Sequence, residues 1–168
     1  MNRHMPHLII YEEELERINA SLSRLCSEAK GKAVFLVDKN GQLISSWGET
    51  EGLDMTSLAS LTAGNIAATG GLAKLLGEKE FSILFHEGER DNLHISLVGG
   101  QAILVILFDQ RSSLGLVRLR ARRATEDLGR IFDDLLKRME QEKGRAKDLF
   151  LSHFGEITDA EIDNLFKG

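Results

Sequence analysis

Few residues of this 168-residue chain have the types and spacing that chemistry requires. His86 and His94 are placed so that two imidazoles could face each other across a hairpin, but two neutral surface histidines explain them better. The segment Asp38-Lys39-Asn40-Gly41 begins like a calcium loop, yet it lacks the downstream oxygen ligands, and a hairpin turn accounts for it. No serine lies in a Gly-x-Ser-x-Gly turn, and no P-loop sequence is present. The sequence therefore predicts no catalytic residue, no metal site and no cofactor.

The bulk composition narrows the class of protein further. The net charge of -5 gives no general reason to expect nucleic acid or an anionic membrane as a partner. The single cysteine, Cys26, excludes an intramolecular disulfide, and its place on the apolar side of a helix predicts a buried thiol. The longest apolar run, 102–108, is too short to cross a bilayer, and no secretory signal is recognisable. We expect a soluble, cytoplasmic protein.

The segment from Leu58 to Glu78, LASLTAGNIAATGGLAKLLGE, is the most informative part of the chain. Its leucines and alanines recur at three- and four-residue steps, which predicts an amphipathic helix with a broad apolar stripe. A further line on this helix is nearly without side chains and consists of Ala63, Ala67, Gly70 and Gly71. Glycine costs roughly 1 kcal/mol relative to alanine inside a helix, so two adjacent glycines need a reason. Tight packing on the protein's own sheet is one interpretation; a surface for another protein is the interpretation we favour.

The remaining pattern predicts the elements that position this helix. The predicted order is helix, strand, strand, helix, three strands and helix, at 11–29, 32–38, 42–48, 54–78, 80–87, 92–98, 102–108 and about 112–141. The run 102–108 is apolar on both faces and should lie in the middle of the sheet. The alternating strands 80–87 and 92–98 should lie nearer an edge. We expect an α/β fold of the α+β type, with a five-stranded sheet between one helix and two helices.

The two ends of the chain differ from this core. We expect a flexible leader at 1–10, one domain at 11–141, and a connector with a C-terminal amphipathic segment at 142–168. The charged stretch 141–148 predicts a flexible connector. Thr158 and Glu161 have the spacing of a capping box and precede apolar residues at helical spacing. Because so short a helix is unstable alone in water, this end must dock on its own domain, dock on a partner, or stay mostly disordered.

The central motif SLASLTAGNIAATGGLAKLLGE, with FLVDKNGQLISSWG, FHEG and ILFDQRSSLGLVRLR at matching places, resembles the Roadblock family and, within it, the bacterial MglB-type members. The similarity covers about Tyr11 to Gln141. It implies an α-β-β-α-β-β-β-α fold and a homodimer in which edge strands join into one sheet and the central helices lie together. It also implies that two copies bind one small Ras-like GTPase of the MglA type, accelerate GTP hydrolysis, and help to control cell polarity and motility.

The resemblance assigns roles to three sets of residues. The helix surface on which the GTPase rests would comprise Ala63, Ala67, Gly70, Gly71 and Lys74. The dimer seam would comprise Phe81, Ile83 and Phe85, and pairing would also cover an apolar edge strand that is otherwise an aggregation hazard. A C-terminal contact with the GTPase would comprise Ile162, Leu165 and Phe166.

Alternatives to conformational activation of a GTPase stay open at this point. One rival is an arginine supplied in trans, for which the candidates are Arg111, Arg118, Arg120 and Arg122; the family resemblance argues against it, because the GTPase is thought to supply its own catalytic groups. Another is a Roadblock scaffold that binds a GTPase without stimulating it. A third is a small-ligand sensor, since helix-sheet-helix domains of this size can enclose a pocket.

Overall fold

The computed structural model describes residues 8–153 and 164. Among these residues the elements are α1 (Glu12–Glu28), β1 (Ala33–Asp38), β2 (Leu43–Gly48), α2 (Met55–Leu75), β3 (Ile83–Glu87), β4 (Asn92–Val98), β5 (Ala102–Phe108) and α3 (Leu114–His153). The chain divides into two compact units. The first, Ile10–Asp133, carries the sheet, α1, α2 and the beginning of α3; the second includes 134–153 of the described residues.

The five strands form one antiparallel sheet with the order β2-β1-β5-β4-β3. Every residue of β5 is buried, and this strand lies in the middle, as its continuous apolar run predicts. β3 and β2 are the two edges. The predicted element order and fold class are confirmed.

The two faces of the sheet are covered by different helices. Beneath α2 the core consists of Phe35, Val37, Ala59, Ile95, Ile103 and Val105. Alternate residues of the same strands point to the opposite face, because side chains in a strand alternate; Leu36 and Ile106 are fully buried there. α1 lies on this second face, where Ser45 of β2 hydrogen-bonds the side chain of Asn19.

Local sequence signals determine where α2 begins and which turn packs against it. Asp54 is the N-cap, and its Oδ1 accepts a hydrogen bond from the backbone nitrogen of Ser57 at 3.1 Å. Gly41, in the turn between β1 and β2, has a φ of +87° and lies against α2: a Cβ added there would be 3.2 Å from the Cα of Ser60. The turn therefore needs glycine both for its backbone conformation and for the close approach to α2.

Cys26 is buried, as predicted, and its Sγ donates to the carbonyl oxygen of Gly31 at 3.4 Å. Burial is the main cause that raises the pKa of this thiol, with a smaller contribution from the charge of Glu49. The thiol is therefore poorly reactive. No helix in the described part of the chain is long and apolar enough to span a membrane.

The prediction of a flexible connector at 141–148 is wrong, because α3 continues without a break to His153. Its glutamine, glutamate, arginine, alanine and two lysines favour a helix strongly enough to tolerate Gly144. Arg138 and Glu142, one helical turn apart, form an ion pair of 3.8 Å at the start of this stretch. Residues 1–7 of the predicted leader and the C-terminal set Ile162, Leu165 and Phe166 lie outside the described residues.

Candidate functional site

The outer side of α2 is apolar although it is exposed. Leu61, Leu72, Leu75 and Leu76 have 72, 57, 85 and 70% of their surface accessible. Leu72, Leu75 and Leu76 are neighbours on the last turn of the helix, and clustered exposed apolar side chains are typical of protein interaction surfaces. The helix divides into two sides with different chemistry, and each side faces a different edge of the sheet.

One side of α2 carries the leucine row, defined as Leu61, Leu72 and Leu76. These residues share a side with Asn65, because their spacings of four, seven and four residues follow the helical repeat. The Nδ2 of Asn65 lies 3.0 Å from the Nε2 of His86 in β3. The leucine row therefore faces the β3 edge of the sheet.

The other side carries the small-residue row, defined as Ala63, Ala67, Gly70, Gly71 and Lys74. A Cβ at Gly41 would lie 3.4 Å from the Cβ of Ala63, so this side faces the turn between β1 and β2. Ala67, Gly71 and Lys74 are exposed, whereas Ala63 and Gly70 are half-buried at the margin.

The two adjacent glycines of this row are not explained by packing within the chain. Apart from the backbone of α2 itself, a Cβ built on Gly70 or Gly71 would meet no atom of the described residues within 4 Å. Alanine at either position would fit and would favour the helix by roughly 1 kcal/mol. Tight packing on the chain's own sheet, the first of the two interpretations above, therefore does not account for these glycines.

The third feature is the edge strand β3, which pairs with β4 and has no second neighbour among the described strands. Ile83 is 52% exposed. Phe85 is half-buried and stacks on Phe108 with ring centroids 6.1 Å apart. Phe81 precedes the strand by two residues and is also half-buried. The edge thus offers open backbone groups and one strongly exposed apolar side chain.

The sequence analysis did not distinguish the leucine row from the buried face of α2. The apolar stripe drawn through α2 included Leu61, Leu72 and Leu75, yet the buried residues of the helix are Ala59, Thr62 and Ala73. The available signal was the number of apolar residues, which exceeds what one buried face of a helix can hold. Only the contact between Asn65 and His86 shows where the excess lies.

The arginines named as trans-acting candidates have different surroundings. Arg111 forms two hydrogen bonds with the carboxylate of Glu49, at 3.0 and 3.1 Å, and also binds Asp109 at 3.0 Å. The hydrogen bonds that Arg111 donates to Glu49 and Asp109 raise the pKa of Arg111, and the same bonds lower the pKa of each carboxyl. Arg120 lies 3.6 Å from Glu28. Arg111 therefore joins the ends of β2 and β5 within the chain.

The prediction that His86 and His94 are surface histidines is wrong for His94. His94 lies opposite Phe85 and His86 opposite Leu93, so the two rings are on different faces of the sheet. His94 is 1% exposed, because its face of β4 is covered by α3. Burial, followed by the charge of Arg118, lowers the pKa of its imidazole, while its own backbone opposes the shift more weakly. Among the described residues no three His, Cys, Asp or Glu side chains form a metal cluster.

The lowered pKa of His94 predicts how the stability of the fold depends on pH. The unfolded imidazole titrates near 6.5, above its folded pKa, so the unfolded chain binds more protons as the pH falls below that value. We expect stability to decrease from pH 7.5 to pH 5.5 by at most about 1.4 kcal/mol per pH unit from this group. Urea unfolding at both pH values should show a smaller decrease for His94→Gln than for the original chain. Equal decreases would mean that His94 is not the group involved. The carboxyls with lowered pKa titrate in a more acidic range.

This arrangement of elements defines a class of protein. Residues 18–108 match the family model described as the Roadblock/LC7 domain, so the chain belongs to the Roadblock/LC7 family, and its order of helices and strands is that of the family fold. No curated protein sequence matches the chain.

Within the family, the chain is similar to solved structures of MglB. Myxococcus xanthus MglB is 59% identical, with a TM-score of 0.72 over 76% of this chain and 96% of that chain. The gliding protein MglB of Thermus thermophilus is 36% identical, with a TM-score of 0.72 over 77% and 98%. A structure described as MglB with a tetrameric arrangement is 35% identical, with a TM-score of 0.74 over 78% and 98%.

Proposed function

We propose that this protein is a homodimeric activator of a bacterial Ras-like GTPase of the MglA type, with a role in cell polarity and motility. The similarity to MglB over most of both chains supports the assignment. The observation that carries it is the exposed side of α2, where the leucines are largely accessible and a Cβ added to either of the adjacent glycines would meet no described atom within 4 Å. Such a surface is stable in water only at a cost, and a protein partner removes that cost.

The dimer would form through β3 and the leucine row. Two copies of β3 related by a two-fold axis can pair antiparallel, which satisfies the open backbone groups of both edges. The leucine row faces the same edge, so the axis would bring the two copies of Leu61, Leu72 and Leu76 together above the extended sheet. Ile83 would be covered from the other face. This assignment gives the leucines and Ile83 one common role.

The GTPase would then rest on the small-residue row. Ala67, Gly70 and Gly71 leave the backbone of α2 accessible, so that a switch segment can approach it closely. Lys74 provides a positive charge at the end of the row. The ratio of two copies of this protein for each GTPase is what the family resemblance implies. The small-residue rows of the proposed dimer face away from the two-fold axis, so they do not by themselves require that ratio.

Activation would be conformational. A surface that binds the hydrolysis-competent arrangement of the switches more tightly than the others shifts the GTPase toward that arrangement. The alternative, an arginine donated in trans, is not favoured for Arg111, because this guanidinium is already held by two carboxylates. Phosphate release by the GTPase, measured with and without this protein, tests the proposal together with the stoichiometry of the complex. Binding without faster hydrolysis would show a scaffold instead.

Removing Arg111 tests the rival mechanism directly. We expect Arg111→Gln to leave stimulated GTP hydrolysis within about twofold of the original rate, whereas loss of an arginine finger would lower it by about 10³-fold or more. The variant removes the two ion pairs of an exposed arginine, with Glu49 and Asp109, so its melting temperature should change only slightly. Arg123→Gln, an exposed arginine on α3, is the matched control. A loss of stimulation in Arg111→Gln alone, with binding retained, would show that the arginine acts in trans.

The C-terminal segment gives a further prediction. Replacing Ile162, Leu165 and Phe166 together by serine removes the apolar side chains that would contact the GTPase. We expect weaker binding or altered nucleotide exchange, with the homodimer intact, because these residues are far in sequence from β3 and α2. Fluorescent-nucleotide release and analytical ultracentrifugation measure the two properties. If affinity and exchange are both unchanged, the segment has no role in the complex.

A further inference from the structure

A cavity of about 340 Å³ lies on the face of the sheet opposite α2, between β4 and α3 and close to the β3 edge. Its lining includes His94 and Ser96 of β4, which share a face because they are two residues apart in a strand. Arg118, Ala121 and Arg122 of α3 form another part of the lining, and Ile83 of β3 lies at its side. The proposed contacts with a GTPase lie on the other face of the sheet and leave this cavity unexplained.

The cavity contains buried polar atoms without partners. His94 is 1% and Ser96 is 4% exposed. The two ring nitrogens of His94 and the hydroxyl of Ser96 have no hydrogen-bond partner in the described part of the chain. Burial of unpaired polar groups destabilises a fold, and the great majority of buried polar groups are therefore hydrogen-bonded. These atoms belong to two residues that line the cavity, and a bound molecule with polar groups of its own would supply the missing partners.

The α3 side of the cavity is positively charged. Arg118 and Arg122 are one helical turn apart, both are exposed, and neither forms an ion pair with another described residue. The charge of Arg118 is close enough to His94 to help keep that ring neutral. A neutral imidazole offers one N–H donor and one acceptor nitrogen, while each guanidinium only donates. The polar lining is thus cationic at α3 and neutral at β4, with apolar Ile83 and Ala121 beside it.

We propose that this cavity binds a small organic anion. Its carboxylate or phosphate would pair with Arg118 and Arg122, and a hydroxyl or amide group of the same molecule would hydrogen-bond His94 and Ser96. Guanidinium groups bind both kinds of anion through parallel N–H donors. A volume of about 340 Å³ suits a compact metabolite, and it is too narrow for a nucleic-acid duplex or a membrane surface. The proposal does not depend on a GTPase. Ile83, at one side of the cavity, is also placed in the proposed dimer contact, so in a homodimer this side of the cavity adjoins the partner copy.

Three probes of one shape test which groups matter. 4-Hydroxybenzoate carries both the anion and the hydroxyl, benzoate lacks the hydroxyl, and 4-hydroxybenzyl alcohol lacks the anion. In NMR titrations of the full chain, we expect 4-hydroxybenzoate to shift the signals of His94 and Ser96 saturably at millimolar concentrations. Benzoate should bind several-fold more weakly, and the alcohol should bind at least tenfold more weakly.

Variants on α3 identify the site without disturbing the core. Arg118→Gln combined with Arg122→Gln should weaken the binding of 4-hydroxybenzoate at least tenfold. Arg123→Gln, which removes a neighbouring charge outside the cavity, should leave the affinity unchanged. Ser96→Ala should lower the affinity for 4-hydroxybenzoate to about that for benzoate. If the signals of His94 and Ser96 do not respond to 4-hydroxybenzoate, or if the double variant binds it as well as Arg123→Gln does, the cavity holds water only and the proposal is wrong.

Discussion

Replacing Ala67 with arginine is expected to abolish binding of an MglA-type GTPase while the fold and the homodimer persist. Ala67 is exposed in the middle of the small-residue row, where its methyl group leaves the helix backbone accessible. An arginine there would hold the partner away and would lose its hydration without gaining a carboxylate. We expect the affinity to fall by about a hundredfold or more, which corresponds to about 2.8 kcal/mol. Titration calorimetry with the GTP-loaded partner measures this directly.

The control for this change is the same substitution on another helix. Ala20, which is exposed on α1 across the sheet from α2, can be replaced by arginine with an equal change in volume and charge. We expect Ala20→Arg to bind the GTPase normally. Gly71→Arg, one helical turn beyond Ala67, should reproduce the loss. A Cβ at this position meets no atom of another described segment within 4 Å, so the variant should fold. Normal binding by Ala67→Arg would show that the partner contacts a different surface.

The sequence predicted the layers of this fold because hydrophobic periodicity determines which side of each element is buried. The continuous apolar run of β5 placed it in the middle, and the alternation of β3 placed it near an edge. Periodicity was less informative for α2, which is apolar nearly all round. Its fully buried residues are Ala59, Thr62 and Ala73, while the larger side chains of Met55, Leu58 and Ile66 are partly buried against the same core.

Two features of the sites depended on neighbours that a single sequence does not reveal. The placement of His94 required the knowledge that α3 covers its side of β4, because a histidine in an alternating strand is equally compatible with a solvated face. The length of α3 was underestimated since a charged stretch was interpreted as a connector, although its residues individually favour a helix. The first error could be avoided only with tertiary context, whereas the second came from giving charge more weight than helix propensity.

Replacing Leu72 with aspartate is expected to convert the homodimer to a monomer. Leu72 is 57% exposed and belongs to the leucine row that faces the β3 edge. Covering a leucine side chain contributes roughly 1.5–3 kcal/mol, and a two-fold axis makes each substitution act twice. A carboxylate at that place would also have to be desolvated beside apolar side chains. We therefore expect the dimer dissociation constant to rise by about 10³-fold, a free-energy change of ~4 kcal/mol.

Analytical ultracentrifugation over a range of concentrations measures this shift, and Leu119→Asp is its control. Leu119 is 63% exposed on α3, across the sheet from α2, so this variant introduces the same charge at a similarly exposed leucine. We expect Leu119→Asp to remain a dimer. Because a GTPase that contacts both copies of α2 needs the dimer, Leu72→Asp should also lose stimulation of GTP hydrolysis, whereas Ala67→Arg should lose it while staying dimeric. A dimeric Leu72→Asp protein would show that the leucine row lies outside the dimer contact, and a monomeric one that still stimulates hydrolysis would show that one copy is enough.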